Sequence, residues 1–132
     1  MLKLDKNIVV NEIEPPKFDW KKTYFPKPGM LGTEYVGSDR YAVICISVDS
    51  PKRITVAPVH ELDEDNVKDN PKITIDDEGV WWGKFNINKE DYEKWSLRTD
   101  KRGAQGWREM GSGKHSASIH WGIADPYRDP SF

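Results

Sequence analysis

Short runs of alternating or apolar residues recur along the chain and predict β-strands. Tyr41–Val48 is dominated by β-branched and aromatic residues, as expected for a central strand. The turn signal Asp49-Ser50-Pro51 follows it, and polar and apolar residues then alternate through Lys52–Val56. The two segments therefore predict a β-hairpin whose second strand is half-exposed.

Further strands are predicted before and after this hairpin. Tyr92–Thr99 alternates, so that Glu93, Trp95 and Leu97 share one face of the strand. The best helix candidate is Asn88–Lys94, where Asn88 can act as the N-cap. The remaining predicted strands are Lys3–Val10, Val80–Ile87, Trp107–Met110 and Ser116–Ile123. The pattern predicts a mainly β (α+β) fold, with an antiparallel sheet core and one or two short helices.

Two segments interrupt the strand pattern. Residues 1–30 contain four prolines, which forbid long regular structure, together with Trp20, Tyr24 and Phe25. We expect these residues to form an arm that packs on the core or on a partner subunit. Residues 61–72 are rich in acids and predict a solvated loop. At 132 residues the chain is expected to form a single domain, 1–132, with its β core at 31–132.

Charge is distributed unevenly along the chain. Residues 61–78 contain eight acids and two lysines, whereas residues 79–114 contain eight Lys or Arg, five acids and four of the six tryptophans. The net charge of −2 argues against a general DNA or RNA binder, which usually carries a basic excess. A basic, aromatic segment in a chain of this charge instead favours a small anionic ligand.

The sequence also indicates a cellular compartment. Cys45 is the single cysteine and lies in an apolar run, which predicts a buried thiol and a reducing environment. The N-terminal residues are too charged for a signal peptide, and no apolar run approaches the ~20 residues of a membrane helix. We therefore expect a cytoplasmic protein that does not contact a membrane.

Motifs for catalysis or metal binding fail on inspection. The Gly111–Lys114 turn resembles part of a phosphate loop, but Arg108 stands where that loop needs its first glycine. The acids from Asp63 onward do not follow the calcium-loop pattern. His115 and His120 are an odd number apart, which places them on opposite faces of a strand. We expect no metal, no cofactor and no enzymatic activity, although sequence alone leaves open an acid/base pair assembled in space.

Arginines and aromatic residues are the remaining candidates for a site. Guanidinium groups match phosphate oxygens, and aromatic faces stack on nucleobases. Together they are suited to a nucleotide that carries a pyrophosphate. The alternative is a tryptophan-rich core with solvated arginines. The predicted ligand-binding residues are Arg40, Arg53, Trp82, Phe85, Arg98, Trp107 and Arg108.

Three segments carry a resemblance to a known family. They are GSDRYAVICISVDSPKRITV, WSLRTDKRGAQGWREMGSG and the terminal DPYRDPSF. Over roughly residues 33–132, apart from the acidic insertion at 61–72, this pattern resembles the phage anti-Thoeris signal-sponge family. In Thoeris defence, a TIR-domain protein makes a cyclic ADP-ribose isomer that activates a NAD-depleting effector. The resemblance implies an antiparallel sheet with a few helices, assembled as a homodimer or a larger homo-oligomer with ligand at subunit interfaces.

The resemblance also implies a function. A sponge protein binds and sequesters a cyclic ADP-ribose-type messenger, such as glycocyclic ADP-ribose, without degrading it. It thereby blocks Thoeris defence in the cytoplasm of the infected bacterial host, and cyclic oligonucleotides are further ligands of some relatives. Of the candidate residues, only Arg40, Arg53, Arg98 and Arg108 match motif positions of the family. Their role as phosphate clamps, and that of Trp82, Phe85 and Trp107 as stacking partners of adenine, is inferred from the chemistry of the side chains. The alternative is a phage structural or protein-interaction module with no small-molecule ligand.

Overall fold

The computed structural model describes residues 18–19, 22, 24–99, 105–109 and 118–127. Within them the fold is mainly β, as the sequence predicts, and its helical residues are confined to two single 3-10 turns, Val67–Asp69 and Lys89–Asp91. No helix in this part of the chain has the length and apolarity needed to cross a membrane. The strands are β1 Leu31–Val36, β2 Asp39–Ser50, β3 Arg53–Pro58, β4 Ile73–Ile75, β5 Trp81–Gly83, β6 Glu93–Thr99, β7 Gln105–Glu109 and β8 Ser118–Trp121.

Six of the strands form one antiparallel sheet in the order β7-β6-β3-β2-β1-β8. The two end strands, β7 and β8, approach each other, so the sheet curls until it is nearly closed into a barrel. No ladder joins these two strands within the described residues. We call this gap the seam. The small hairpin of β4 and β5 lies outside the main sheet and is connected to it by an isolated bridge between Met30 and Trp82.

Several predicted elements differ from the observed ones. The predicted strand Val80–Ile87 is shorter, because only Trp81–Gly83 is paired, and its partner β4 falls in a segment for which no strand was predicted. The predicted helix Asn88–Lys94 is a single 3-10 turn, because the chain returns at Tyr92 to the extended conformation that leads into β6. The predicted strand Lys3–Val10 lies outside the described residues.

The inner face of the barrel carries the larger core. Alternate residues of the strands point inward, and Trp95 is fully buried while Trp107 and Trp121 are almost so. Cys45 is also buried there, and burial raises the pKa of its thiol to about 12. The other buried members of this core are Met30, Val43, Ile54, Val56, Val80 and Ile119.

The outer face is covered over only part of its area. A second cluster forms where Ile44 and Ala57 pack beneath the segment between β3 and β6. Leu62 and Val67 of that segment are each 4% exposed, whereas the acids that follow Leu62 are exposed. The acidic segment 61–72 is therefore a solvated loop anchored by two apolar side chains. On the outer face of β6 and β7, Ser96 is half-buried and Arg98 and Arg108 are exposed.

The chain on either side of the sheet is tied down by side chains. Thr33 is fully buried, donates through Oγ1 to the carbonyl oxygen of Ile123 (2.8 Å) and accepts from the backbone N–H of Asp125 (2.9 Å). Near the N-terminus, Phe18 and Tyr24 pack against the position of Gly122, and Pro26 is buried. The described part of the N-terminal arm thus packs on the core beside β8.

Candidate functional site

Three of the predicted arginines lie close together on the outer face of the sheet. Arg53 of β3 is paired with Ser96 of β6, which is paired in turn with Arg108 of β7. Residues in register on neighbouring strands point to the same side, so all three side chains project outward. Arg98, two residues beyond Ser96, donates from Nε to Ser96 Oγ (3.3 Å). We call Arg53, Arg98 and Arg108 the arginine row.

The spacing of the arginine row follows from sheet geometry. Neighbouring strands are about 4.8 Å apart, so the Cα atoms of Arg53 and Arg108 are separated by about 10 Å. All three guanidinium groups belong to exposed residues, and neither Arg53 nor Arg98 forms an ion pair with a described carboxylate. Guanidinium groups so placed can close on a phosphate or pyrophosphate from both sides, with the Ser96 hydroxyl between them.

A polar network borders the arginine row. The Asp49 carboxylate accepts from Thr55 Oγ1 (2.7 Å), Ser47 Oγ (2.9 Å) and Lys94 Nζ (3.1 Å). These hydrogen bonds, that of Thr55 foremost, lower the pKa of Asp49. Asp49 is the carboxylate of β2 that lies closest to the arginine row. Its negative charge is already compensated by Lys94.

Arg40 lies elsewhere, at the start of β2. Its Nε donates to the backbone oxygen of Asp125 (2.9 Å), and its guanidinium is 4.8 Å from the centre of the Tyr127 ring. Arg40 borders a cavity of about 550 Å³, whose other charged lining residues are four acids, Glu34, Asp63, Glu64 and Asp65. The cavity is thus rich in negative charge, and Arg40 helps to fix residues 125–127.

Two of the predicted stacking residues belong to the β4–β5 region. Trp82 is half-buried against the inner core and donates from Nε1 to Asp76 Oδ2 (2.9 Å). Asp76 also accepts from the backbone N–H groups of Glu78 and Val80. Burial opposes the charge on Asp76, but the three hydrogen bonds leave its pKa lowered. Phe85 packs on the outer cluster, with Lys72 Nζ 5.5 Å from its ring centre.

The third predicted stacking residue, Trp107, points to the inner face and is 5% exposed. The structure therefore brings together Arg53, Arg98 and Arg108 but places Arg40, Trp82, Phe85 and Trp107 away from them. For Trp107 the reason is the alternation of side chains along a strand, which sends Trp107 and Arg108 to opposite faces of β7. Arg40, Trp82 and Phe85 belong to other parts of the fold. That any of the seven binds a ligand stays a prediction.

A second cavity opens at the seam, and most of its residues are absent from the predicted set. This seam cleft, of about 440 Å³, is lined by Tyr24, Phe25, Trp107, Ile119, His120 and Trp121, together with Leu97 and Gly106. The Phe25 and Trp107 rings meet edge to face, with centroids 5.7 Å apart. Tyr24 and Phe25 come from the N-terminal arm and the others from strands at both ends of the sheet, so no local pattern in the sequence joins them.

Two glycines allow aromatic rings to pack closely at one wall of the seam cleft. Gly32 on β1 is paired with Trp121, whose ring lies so close that a Cβ on Gly32 would come within 2.7 Å of Trp121 Cε3. At the neighbouring Gly122, with φ of +111°, a Cβ would come within 2.5 Å of Phe18 Cε1. The two glycines therefore allow the Trp121 ring and the Phe18–Tyr24 pair to lie directly on the backbone. Glycines opposite aromatic residues are the sequence signal that indicates this wall.

Electrostatically the seam cleft is neutral. His120 lies against the Phe18 ring, with centroids 5.5 Å apart, and burial lowers its pKa. No Asp, Glu, Lys or Arg is among the described residues that line the cleft. Across all the residues that the structure describes, no group of three or more His, Cys, Asp or Glu side chains is arranged to hold a metal ion.

Comparison with protein-family models, with curated proteins and with solved structures found no match to this chain.

Proposed function

We propose that this protein binds a small phosphorylated molecule at the arginine row and sequesters it without converting it. The observation that carries the proposal is the in-register arrangement of Arg53, Ser96 and Arg108, with Arg98 bonded to the same serine. Three cationic forks and a hydroxyl within one small surface are complementary to the oxygens of a pyrophosphate.

The resemblance to the anti-Thoeris sponges favours a particular ligand within this class. A cyclic ADP-ribose-type messenger carries two adjacent phosphates and is small enough for one face of a three-strand sheet. Sequestration by mass action requires an abundant protein that binds more tightly than the host sensor. In this proposal the protein acts in the cytoplasm of the infected bacterium and releases its ligand intact.

The experiment has two readouts. The protein is titrated calorimetrically with pyrophosphate and with a cyclic ADP-ribose isomer, and the complex is then heated and the released ligand identified by mass spectrometry. A hydrogen bond to a charged group is worth about 1.5–3 kcal/mol, so Arg53→Gln and Arg98→Gln should each weaken binding about 10- to 100-fold. The matched control is Lys68→Gln, an exposed cation on the acidic segment.

The outcomes separate the alternatives. Intact ligand after heating, together with weakened binding by the arginine variants alone, supports the proposal. A hydrolysed product would show that the protein catalyses a reaction on its ligand and does not sequester it intact. Binding that is unaffected by the arginine variants would show that the arginine row is not the binding site. No response to any nucleotide would favour a structural or protein-interaction module.

A further inference from the structure

The cavity that Arg40 borders has the size and the floor of a small-molecule site. Its volume of about 550 Å³ lies within the usual 300–1,000 Å³ of such sites. Three of its apolar lining residues, Ala42, Val59 and Leu62, are 3%, 3% and 4% exposed. The backbone N–H of Val59 donates to the carbonyl oxygen of Ala42 (2.9 Å), which fixes this apolar floor where the chain leaves β3.

Four carboxylates line the same cavity, which we call the acidic cavity. Glu34 belongs to β1, whereas the other three, the loop carboxylates, follow β3 and are those of Asp63, Glu64 and Asp65. The strands β1 and β3 flank β2 in the sheet, so they are about 10 Å apart and the carboxylates come from both neighbours of β2. None of the loop carboxylates forms an ion pair with a lysine or arginine in the described part of the chain.

The one arginine of the lining is already engaged with a carboxylate outside it. Arg40 Nη2 is 3.5 Å from Asp125 Oδ2, its Nε donates to the Asp125 carbonyl oxygen, and its guanidinium is 4.8 Å from the centre of the Tyr127 ring. The loop carboxylates are therefore not compensated by Arg40. Tyr41, which is 37% exposed, adds an aromatic ring of the kind that attracts cations to the lining.

We infer that the acidic cavity binds a linear aliphatic polyamine, with its ammonium groups against Glu34 and the loop carboxylates and its methylene chain over the apolar floor. A metal ion would leave the floor exposed to water, and an uncharged apolar ligand would desolvate the carboxylates without compensating them. This site goes beyond the proposed function, because it takes a cation and uses no residue of the arginine row.

The test uses spermidine, a chain with three ammonium groups, titrated calorimetrically into the wild-type protein and two variants. An exposed ion pair changes affinity only a few-fold, so the double variant Glu64→Gln/Asp65→Asn should weaken binding about 3- to 20-fold. Tyr41→Leu keeps the net charge and removes the ring, and should weaken binding about 2- to 5-fold. The matched control, Asp77→Asn/Glu78→Gln, removes two exposed carboxylates that do not line the cavity and should bind spermidine as the wild type does.

The outcomes separate a built site from general attraction of cations. Spermidine binding that is weakened by both cavity variants, but not by the control, supports the inference. Equal losses in the cavity and control double variants, or no binding of millimolar spermidine by the folded wild type, would overturn it. Displacement of spermidine by an equal concentration of magnesium chloride would also overturn the assignment to a polyamine. Pyrophosphate titrated into the same variants reports on the arginine row separately, and thermal unfolding establishes that each variant is folded.

Discussion

The charged side chain of Asp49 stabilises the pairing of β2 with β3. Its carboxylate fastens Ser47, Thr55 and Lys94 beside the two irregularities in the β2–β3 pairing, which fall between Cys45 and Ser47 and between Val48 and Ser50. Extra residues in a strand disturb the ladder locally, so a side chain that ties both strands together fixes their register. Asp49 therefore supports the position of Arg53, which begins β3.

Asp49→Asn is expected to lower the free energy of unfolding at pH 7 by about 1 kcal/mol, a value reduced because the carboxylate is partly exposed. Hydrogen bonds from Thr55, Ser47 and Lys94 lower the pKa of Asp49 in the folded state. Its contribution is thus complete above the unfolded pKa of about 3.9 and is lost as the pH falls through the lower folded value.

The corresponding measurement is urea unfolding of the wild type and Asp49→Asn between pH 7 and pH 2. The difference between them should shrink as the pH falls below about 4. Asp77→Asn, at an exposed position, serves as the control and should match the wild type throughout. A difference that stays constant down to pH 2 would contradict the role assigned to the ionised carboxylate.

Gly32 illustrates a close approach that a larger residue cannot share. Gly32→Ala would place a Cβ 2.7 Å from the Trp121 ring, which must then shift. Overpacking of this kind typically costs about 1–3 kcal/mol, and we expect a lower unfolding midpoint together with a changed tryptophan emission spectrum. Gly106→Ala is the matched control, because nothing lies within 4 Å of its added Cβ. Equal effects of the two variants would argue against a fixed Trp121 ring.

At the scale of elements, the acidic segment 61–72 is held to the sheet by few side chains. Leu62→Ala removes a 96% buried side chain from the outer cluster and should lower the free energy of unfolding by about 2–3 kcal/mol. Glu64→Ala, two residues further on and exposed, should change it by less than about 0.5 kcal/mol. Chemical unfolding of the two variants measures both values, and similar stabilities would show that the segment is not anchored through Leu62.

The strands can be predicted from local sequence, whereas the arrangement of the candidate site residues depends on contacts between distant parts of the chain. Alternation in Tyr92–Thr99 and the β-branched run from Tyr41 report local burial, so both strands appear in the structure. The predicted strand at Val80–Ile87 is shortened to Trp81–Gly83, because its pairing partner β4 has only three residues, and β4 itself lies in the acid-rich stretch where no strand was predicted. The pairing of Arg53, Ser96 and Arg108 depends on strand order, and sequence periodicity does not specify that order.

For the aromatic candidates too, the sequence does not show which side chains share a surface. A tryptophan beside an arginine in sequence, as at Trp107-Arg108, is on the other face of the strand. Trp121 and Tyr24 were not among the predicted residues, because they meet only when β8 and the N-terminal arm come together at the seam. Composition could indicate that rings and arginines were available but not which of them share a surface.

For the whole molecule, the remaining prediction concerns assembly. The resemblance and the abundance of aromatic residues both predict a homodimer or larger homo-oligomer. Light scattering at micromolar concentration should therefore give a mass of at least twice the 15.2 kDa of one chain. A mass of one chain would contradict it. Adding pyrophosphate or spermidine in the same experiment reports whether either ligand changes the assembly.

The seam has a kinetic consequence. Between β7 and β8 the barrel is bridged by side chains, without a backbone ladder among the described residues, so a small molecule can enter laterally while every described strand pair stays intact. Since no strand has to separate, capture should proceed at or above the roughly 10⁵–10⁷ M⁻¹s⁻¹ common for protein association.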